Sequence, residues 1–277
     1  MFVIAQISDS HLSAAKPFFA ANFAAACAAI AARGADLVVN TGDITLNGAD
    51  DDSDFVEARR LHDLLPLPWR AIPGNHDIGE AQAVAARSPR HGQVVDAERL
   101  ARYRRHFGAD RWVMDLPGWR LVGFNALLPG SGLPDEAEQD AALRSAFAGA
   151  GDRHVALFGH KPFCDAHLEE TALGGRFIDP EPRRQVLRTF GGVAPALIVS
   201  GHVHQFRCRN VGATRHVWGP STGFVIPDRI QPRYGTKEVG YVEHRLHADG
   251  RHDCAFVRPG EAATLEIGDF PQAYGPL

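Results

Sequence analysis

The residues of this sequence best suited to chemistry stand where short apolar runs end. Trp69 to Ile72 reads as a buried strand that Pro73-Gly74 breaks, and Asn75, His76 and Asp77 come directly after it. An Asn oxygen can serve a metal ion while the adjacent His points elsewhere and serves a substrate; helix capping is the other use of Asn and Asp at such a place. Asp9-Ser10-His11 follows the run Phe2 to Ile7, and a spacing of two in extended chain puts both side chains on one face. Gly42-Asp43 follows Leu37 to Asn40, Gly159-His160 follows Val155 to Phe158, and Gly201-His202-Val203-His204 follows Ala196 to Ser200. The glycines before Asp43, Asn75, His160 and His202 are expected to turn the backbone tightly, so that the side chains converge. A single His is ordinarily structural, and nine of the fourteen histidines are assigned that way. Five strand ends bearing such residues have no common structural explanation and point to one metal-binding centre.

The elements that must position these residues alternate along the chain. Phe19, Phe23, Ala26 and Ile30 recur at helical spacing up to a stop at Gly34. Phe55, Ala58, Leu61 and Leu65 signal a second helix, and the acidic cluster Asp50, Asp51, Asp52 and Asp54 is read as its solvated start, not as a cation site. Leu100, Tyr103 and Phe107 mark a helix closed by Gly108, and Asp135 to Phe147 another. Trp112 to Met114 and Arg120 to Asn125 flank Pro117-Gly118 as a hairpin, and Val186, Leu187 and Phe190 suggest a late helix. Beyond Ser200 strands dominate, including a hairpin through Asp249-Gly250. The tail from Pro259 to Leu277 has little pattern and is expected to wrap the surface. No repeat or composition break divides the chain, so residues 1–277 read as a single domain with a β-rich C-terminal portion.

Composition excludes several classes. The 277 residues are 45% apolar and 22% charged, as in an ordinary globular protein, and the formal charge is −4. That balance, without a long basic run, disfavours nucleic acid and an acidic membrane as partners. Cys27, Cys164, Cys208 and Cys254 lie far apart and read as buried free thiols. The first residues carry no basic leader, and the Ala-rich run Phe18 to Ala32 is too short for a membrane span. A cytoplasmic location is the resulting expectation.

Asp-x-His, Gly-Asp, Gly-Asn-His-Asp, Gly-His and Gly-His-x-His, in this order over roughly residues 3 to 204, resemble the calcineurin-like metallophosphoesterase superfamily. The resemblance implies an α/β fold, a four-layer α/β/β/α sandwich with two facing mixed sheets and metals at the strand ends. It implies one metal on Asp9, His11, Asp43 and His204, and a second on Asp43, Asn75, His160 and His202, with Asp43 bridging. Carboxylates and an amide mixed with imidazoles suit Mn, Fe or Zn better than an all-oxygen magnesium site. Two divalent ions, two carboxylates and one bridging hydroxide leave a centre of about +1, which attracts an anionic phosphate. Such a pair can supply a hydroxide nucleophile and polarise the phosphoryl oxygen. His76 is the catalytic non-ligand, placed to stabilise the transition state or protonate the leaving oxygen, with Asp77 either orienting it or capping a helix.

The residues just after Asp43 separate subfamilies. Ile44-Thr45-Leu46-Asn47 contains no Tyr, unlike purple acid phosphatases, and no Asp-Arg-Gly, unlike the protein serine/threonine phosphatases. His76 stands where lipid-A precursor hydrolases place Arg. The chain looks most like the bacterial cyclic-nucleotide and glycerophosphodiesterase branch, which Pro220-Ser221 fits loosely, so a small phosphodiester is the expected substrate. A phosphomonoesterase on the same metals is the main alternative; a nuclease is disfavoured by charge, and a non-catalytic scaffold by the complete ligand set. Substrate choice is expected in Gly79 to Val95 and Cys164 to Phe177, with Arg87, Arg90 and Arg176 as candidate phosphate contacts.

Overall fold

A computed structural model describes residues 1–87, 92–171 and 174–275. The chain order is β1 (Phe2–Ile7), α1 (Ala20–Arg33), β2 (Leu37–Asn40), α2 (Asp52–His62), β3 (Trp69–Ala71), α3 (Asn75–Ile78), α4 (Gln82–Ala85) and α5 (Ala97–Phe107). Next come β4 (Trp112–Leu116), β5 (Trp119–Gly123), α6 (Pro134–Ala148), β6 (His154–Phe158), α7 (Pro180–Thr189) and β7 (Leu197–Ser200). The last part holds β8 (Arg207–Val211), β9 (Thr214–Trp218), β10 (Tyr241–Leu246), β11 (His252–Val257), a 3₁₀ turn Ile267–Asp269 and α8 (Pro271–Tyr274).

The strands form two mixed sheets, ordered β11-β10-β1-β2-β3 and β4-β5-β6-β7-β9-β8. The period-two alternation of each strand assigns its two faces. Ile4 of β1, Leu37 and Val39 of β2, and Val242 and Leu246 of β10 meet Trp119, Leu121, Ala156, Phe158, Leu197, Val199 and Val217 of the other sheet in one apolar layer. The intervening residues face helices. Ala5, Ile7 and Val38 pack with Phe23, Ala26 and Ile30 of α1 and with Phe55 and Ala58 of α2. Val122, Val155, Leu157 and Ile198 pack with Leu143 and Phe147 of α6 and Val186 of α7. The result is the expected α/β/β/α sandwich. Gln6 is a polar exception between the sheets: its Nε2 donates to Ser200 O at 2.9 Å and to Thr41 Oγ1 at 3.2 Å, fixing β1 against β7 next to the loops that follow both.

Local sequence explains the helix ends near the site. Gly34 closes α1 at φ 75°, donating to Ile30 O. Asp51 caps α2 by accepting from Ser53 N, and Asp54 accepts from Ala14 N and Asn47 N, so the acidic cluster serves the helix start and its neighbouring loops. Two expectations need correction. The cysteines are not uniformly buried: Cys208 is exposed, Cys254 half-buried, and their sulfurs lie 3.1 Å apart. The tail does more than wrap the surface, because Phe270 packs on Phe18 and Phe19 and Tyr274 enters the site.

Candidate metal centre

The loops after β1, β2, β3, β6 and β7 bring all seven candidate ligands together. Asp9, His11 and His204 offer ligand atoms within 4.8 Å of one another, and so do Asp43, His160 and His202. Asn75 Oδ1 is 3.3 Å from His160 Nε2, which is itself 3.3 Å from Asp43 Oδ2 and 3.1 Å from His202 Nδ1. Asp43 also faces the first group, with His11 Nε2 at 3.9 Å from Oδ2. His76 stands within the same 4.8 Å of His11 and Asp43, so distance alone does not set it apart from the candidate ligands.

Backbone packing forces this convergence. The β1 and β2 loops run side by side, with Asp9 N, His11 N and Leu12 N donating to Gly42 O, Asp43 O and Ile44 O. Gly42, at φ 99°, leaves no room for a side chain: a Cβ there would lie 2.7 Å from Gly74 N and 2.8 Å from His160 Nδ1. The glycines do not carry the turns alone, however. Among the described residues the non-glycines at positive φ are Asp9, His11, Asp43, His202 and His204, at 52°, 46°, 50°, 68° and 53°, and every one is a candidate ligand. Gly74 and Gly201 contribute close approach instead: a Cβ on Gly74 would meet Asp43 Oδ1 at 2.2 Å, and one on Gly201 would meet Asp9 Oδ2 at 2.8 Å. Left-handed backbone off glycine costs roughly 1–3 kcal/mol per residue and persists where the surroundings over-determine it.

Supporting side chains pin these turns. Asp77 accepts from Gly74 N at 2.8 Å, Ile44 N at 3.2 Å, Thr45 N at 2.9 Å and Thr45 Oγ1 at 2.7 Å. It thereby caps α3 and ties the Asn75 loop to the Asp43 loop. Burial first, and then the Asp43 charge, push its carboxyl up to about 6. His62 Nδ1 donates to Ala58 O and its Nε2 accepts from Asn40 Nδ2, and Asn40 Oδ1 in turn accepts from Gly42 N. Ser221 Oγ donates to Asp9 O at 2.7 Å.

The ring nitrogens are oriented for metal binding. Nδ1–H of His160 is directed to Thr41 O at 2.8 Å and that of His204 to Phe224 O at 3.1 Å, which turns each Nε2 toward the centre. Nδ1 of His11 meets the Tyr274 hydroxyl at 2.5 Å. In the neutral rings these Nε2 atoms carry lone pairs, yet His204 Nε2 lies 3.2 Å from Asp9 Oδ1 and 3.4 Å from His11 Nε2. Asp9 Oδ1 is buried and has no hydrogen-bond partner. Lone pairs converging at such distances fit a cation between them. Without one, burial disfavours the Asp43 carboxylate, but His160, then His76 and His11, outweigh it and hold its carboxyl well below the usual range. Burial likewise opposes the His160 imidazolium, and the charges of Asp43 and Asp9 overcome it, raising that group to about 9.

His11, Asp43, Asn75, His76 and His202 border a cavity of about 360 Å³ whose other side carries Glu80, Arg176, Phe224, Ile226 and Ile230. A neighbouring cavity of about 250 Å³ shares Asn75, His76 and Tyr274 and adds Lys16 and Asn47. Arg176 also donates to Ile230 O at 3.2 Å, whereas Arg87 is paired with Asp179 at 2.7 Å; Arg90 lies outside the described residues. Two supporting groups escaped the sequence reading. Tyr274 sits in a stretch without pattern, and Lys161, buried beside His160 and paired with Glu80 at 2.6 Å, left no signal beyond its adjacency to a ligand.

Solved structures share this architecture. The chain superposes on GAP50, the anchor in the inner membrane complex of Plasmodium, with TM-score 0.64 and 12% identity over 95% of this chain and 86% of that one. It superposes on a dimetal phosphatase from Danio rerio with TM-score 0.59 and 12% identity, over 94% and 99%. Purple acid phosphatase PPD1 from yellow lupin (Lupinus luteus) seeds gives 0.63 and 12%, over 95% of this chain and 52% of that chain. At such identity the likeness is one of fold: two mixed sheets with helices outside them. The calcineurin-like phosphoesterase profile matches residues 2–206, and the chain belongs to that family. No curated protein matches the sequence significantly.

Proposed function

We propose that the chain is a binuclear-metal phosphodiesterase acting on a small diester of the cyclic-nucleotide or glycerophosphodiester type, the branch its motifs resemble. Asp9, His11, Asp43 and His204 would hold one ion and Asp43, Asn75, His160 and His202 the other, with Mn, Fe or Zn suiting the mixed donors. When bound, two such ions would supply positive charge for the phosphoryl oxygens and a water nucleophilic at neutral pH. The protein's own part is placement. The rigid loops orient the ligands, and His76 stabilises or protonates the leaving oxygen. Its Nδ1 donates to Leu46 O at 2.8 Å and its backbone N–H to Asp43 Oδ1 at 2.8 Å, which fixes the ring beside the centre.

The observation that carries the diester reading is the charge of the cavity wall. Among the described residues the cavity beside Asp43 and His202 is lined by one arginine, Arg176, by no lysine, and by Glu80, whose charge is paired with Lys161 at 2.6 Å. A centre of about +1 matches a singly charged diester, whereas for the nearly doubly charged monoester the described cavity wall offers only Arg176, which already donates to Ile230 O at 3.2 Å. Among the described residues no helix is long and apolar enough to cross a membrane; a cytoplasmic location, with which four free cysteines agree, and a single domain over 1–277 belong to the same proposal. With Mn²⁺, Co²⁺ and Zn²⁺ in turn, kcat/KM on a chromogenic diester should exceed that on the monoester with the same leaving group. Preference for the monoester under every metal would replace this reading with the phosphomonoesterase.

A further inference from the structure

The two histidines His160 and His204 end their Nδ1–H groups on backbone carbonyls of neighbouring loops, but His11 ends on a side chain 263 residues away. Tyr274 reaches it from α8, which has packing anchors of its own. Ile267 is buried and donates its N–H to Val225 O, Val225 donates to Leu265 O, and the Phe270 ring packs against Phe18 and Phe19 at 5.4 Å. The Tyr274 ring then stands edge-on to His11, His76 and Phe224, at 5.7, 5.4 and 5.6 Å. It forms a common wall of both cavities. We infer that Tyr274 is a positioning residue: its hydroxyl accepts the Nδ1 proton of His11, so the tail selects the tautomer that presents Nε2 to the ion shared with Asp9 and His204.

This inference rests on the metal-centre reading, and two variants separate the two. On chelator-stripped protein, Mn²⁺ binding to Tyr274→Phe should weaken by about 10–100-fold for one ion and stay unchanged for the other, the usual size for losing a ligand's hydrogen-bond partner. The melting temperature of the metal-free chain should hardly move, which separates positioning from a fold defect. His11→Ala should lose that same ion outright. If His11→Ala loses it while both affinities of Tyr274→Phe match the wild type, the tyrosine has no positioning role; if His11→Ala keeps both ions, the metal-centre reading itself fails.

A different part of the molecule carries a second inference independent of the metals. β8 and β11 are the outer strands of the two sheets on the same side, and Cys208 and Cys254 meet there at 3.1 Å beside the Phe206–Phe256 contact at 5.8 Å. Cys208 is exposed and Cys254 half-buried. We propose that this pair is an oxidation site at which a peroxide creates a disulfide between the sheets. The Cys208 thiolate attacks one peroxide oxygen, the O–O bond breaks, and hydroxide leaves to be protonated. The Cys254 thiol then attacks the Cys208 sulfenic sulfur, the S–O bond breaks, and water leaves. Two thiols have given two electrons, and one peroxide has become two waters. A hydrogen bond from Cys254, and then the nearby Arg215 charge, pull the Cys208 thiol down to about 7, which suits it as the attacking group.

Treating the full chain with hydrogen peroxide should lower its intact mass by about 2 Da and yield a linked Cys208–Cys254 peptide pair that dithiothreitol releases. Closing a loop of 46 residues should raise the melting temperature by several degrees. Cys254→Ser should stop the cross-link and accumulate an oxygen on Cys208. Oxygen addition to wild-type Cys208 without a cross-link, or linkage through Cys27, Cys164 or a second chain, would overturn the proposal.

Discussion

Between the sheets, Ile4, Val39, Leu121, Phe158, Val199 and Val217 meet as apolar side chains on regular strands. A few residues further along those strands, Asp9, His11, Asp43, His202 and His204 sit at positive φ with carboxylates and imidazoles packed against one another. The first region gains about 1.5–3 kcal/mol for each large side chain it buries. The second holds backbone and charge in states that each oppose folding. The candidate site therefore lies at the ends of apolar strands, where pairing such as Gln6 to Ser200 holds the loops in place. The glycines make the space, and the ligands themselves take the strained conformations.

Three substitutions sharpen this contrast, from the largest effect to the smallest. Trp119→Ala should cost about 3–5 kcal/mol in urea unfolding, because the ring is 1% exposed in the inter-sheet layer, while the folded fraction keeps its metal stoichiometry. Loss of metal binding in the folded fraction would show that the two regions are not separable. His76→Ala should lower turnover by about 10²-fold and leave both ions bound, as expected of a group acting on the leaving oxygen; metal analysis showing one ion missing would make it a ligand. At position 202, whose φ is 68°, glycine should make the metal-free chain more stable than alanine does by about 1 kcal/mol, the reverse of their order in a helix or strand. Alanine proving the more stable would mean that the left-handed turn carries no strain.

Much of the sandwich was legible because its strands are short apolar runs with sharp ends. Phe2–Ile7 and Leu37–Asn40 fall where the runs predict. The candidate ligands were legible for the same reason, since each comes within a few residues of such a run. β8 had no such signature: Arg207, Cys208, Arg209 and Asn210 belong to an outer strand with much of its length in solvent. The Cys208–Cys254 approach depends on pairing two sheets, which spacing along the chain does not encode. Tyr274 was hidden for another reason. Its place results from tertiary packing of Ile267 and Phe270 on distant aromatic residues, so the local pattern around it carries no period. Positive φ at the ligands was invisible too, because Asp and His tolerate it only under surroundings that the fold supplies.

The central claim is that Asp43 joins two metal ions into one hydrolytic centre, and metal content measured beside turnover tests it most directly. Wild-type protein loaded with Mn²⁺ should hold two ions per chain. Asp43→Asn should hold fewer and lose at least the roughly 10²–10³-fold in rate that a single lost stabilising group costs. An Asp43→Asn variant that keeps two ions per chain and wild-type turnover would contradict the account.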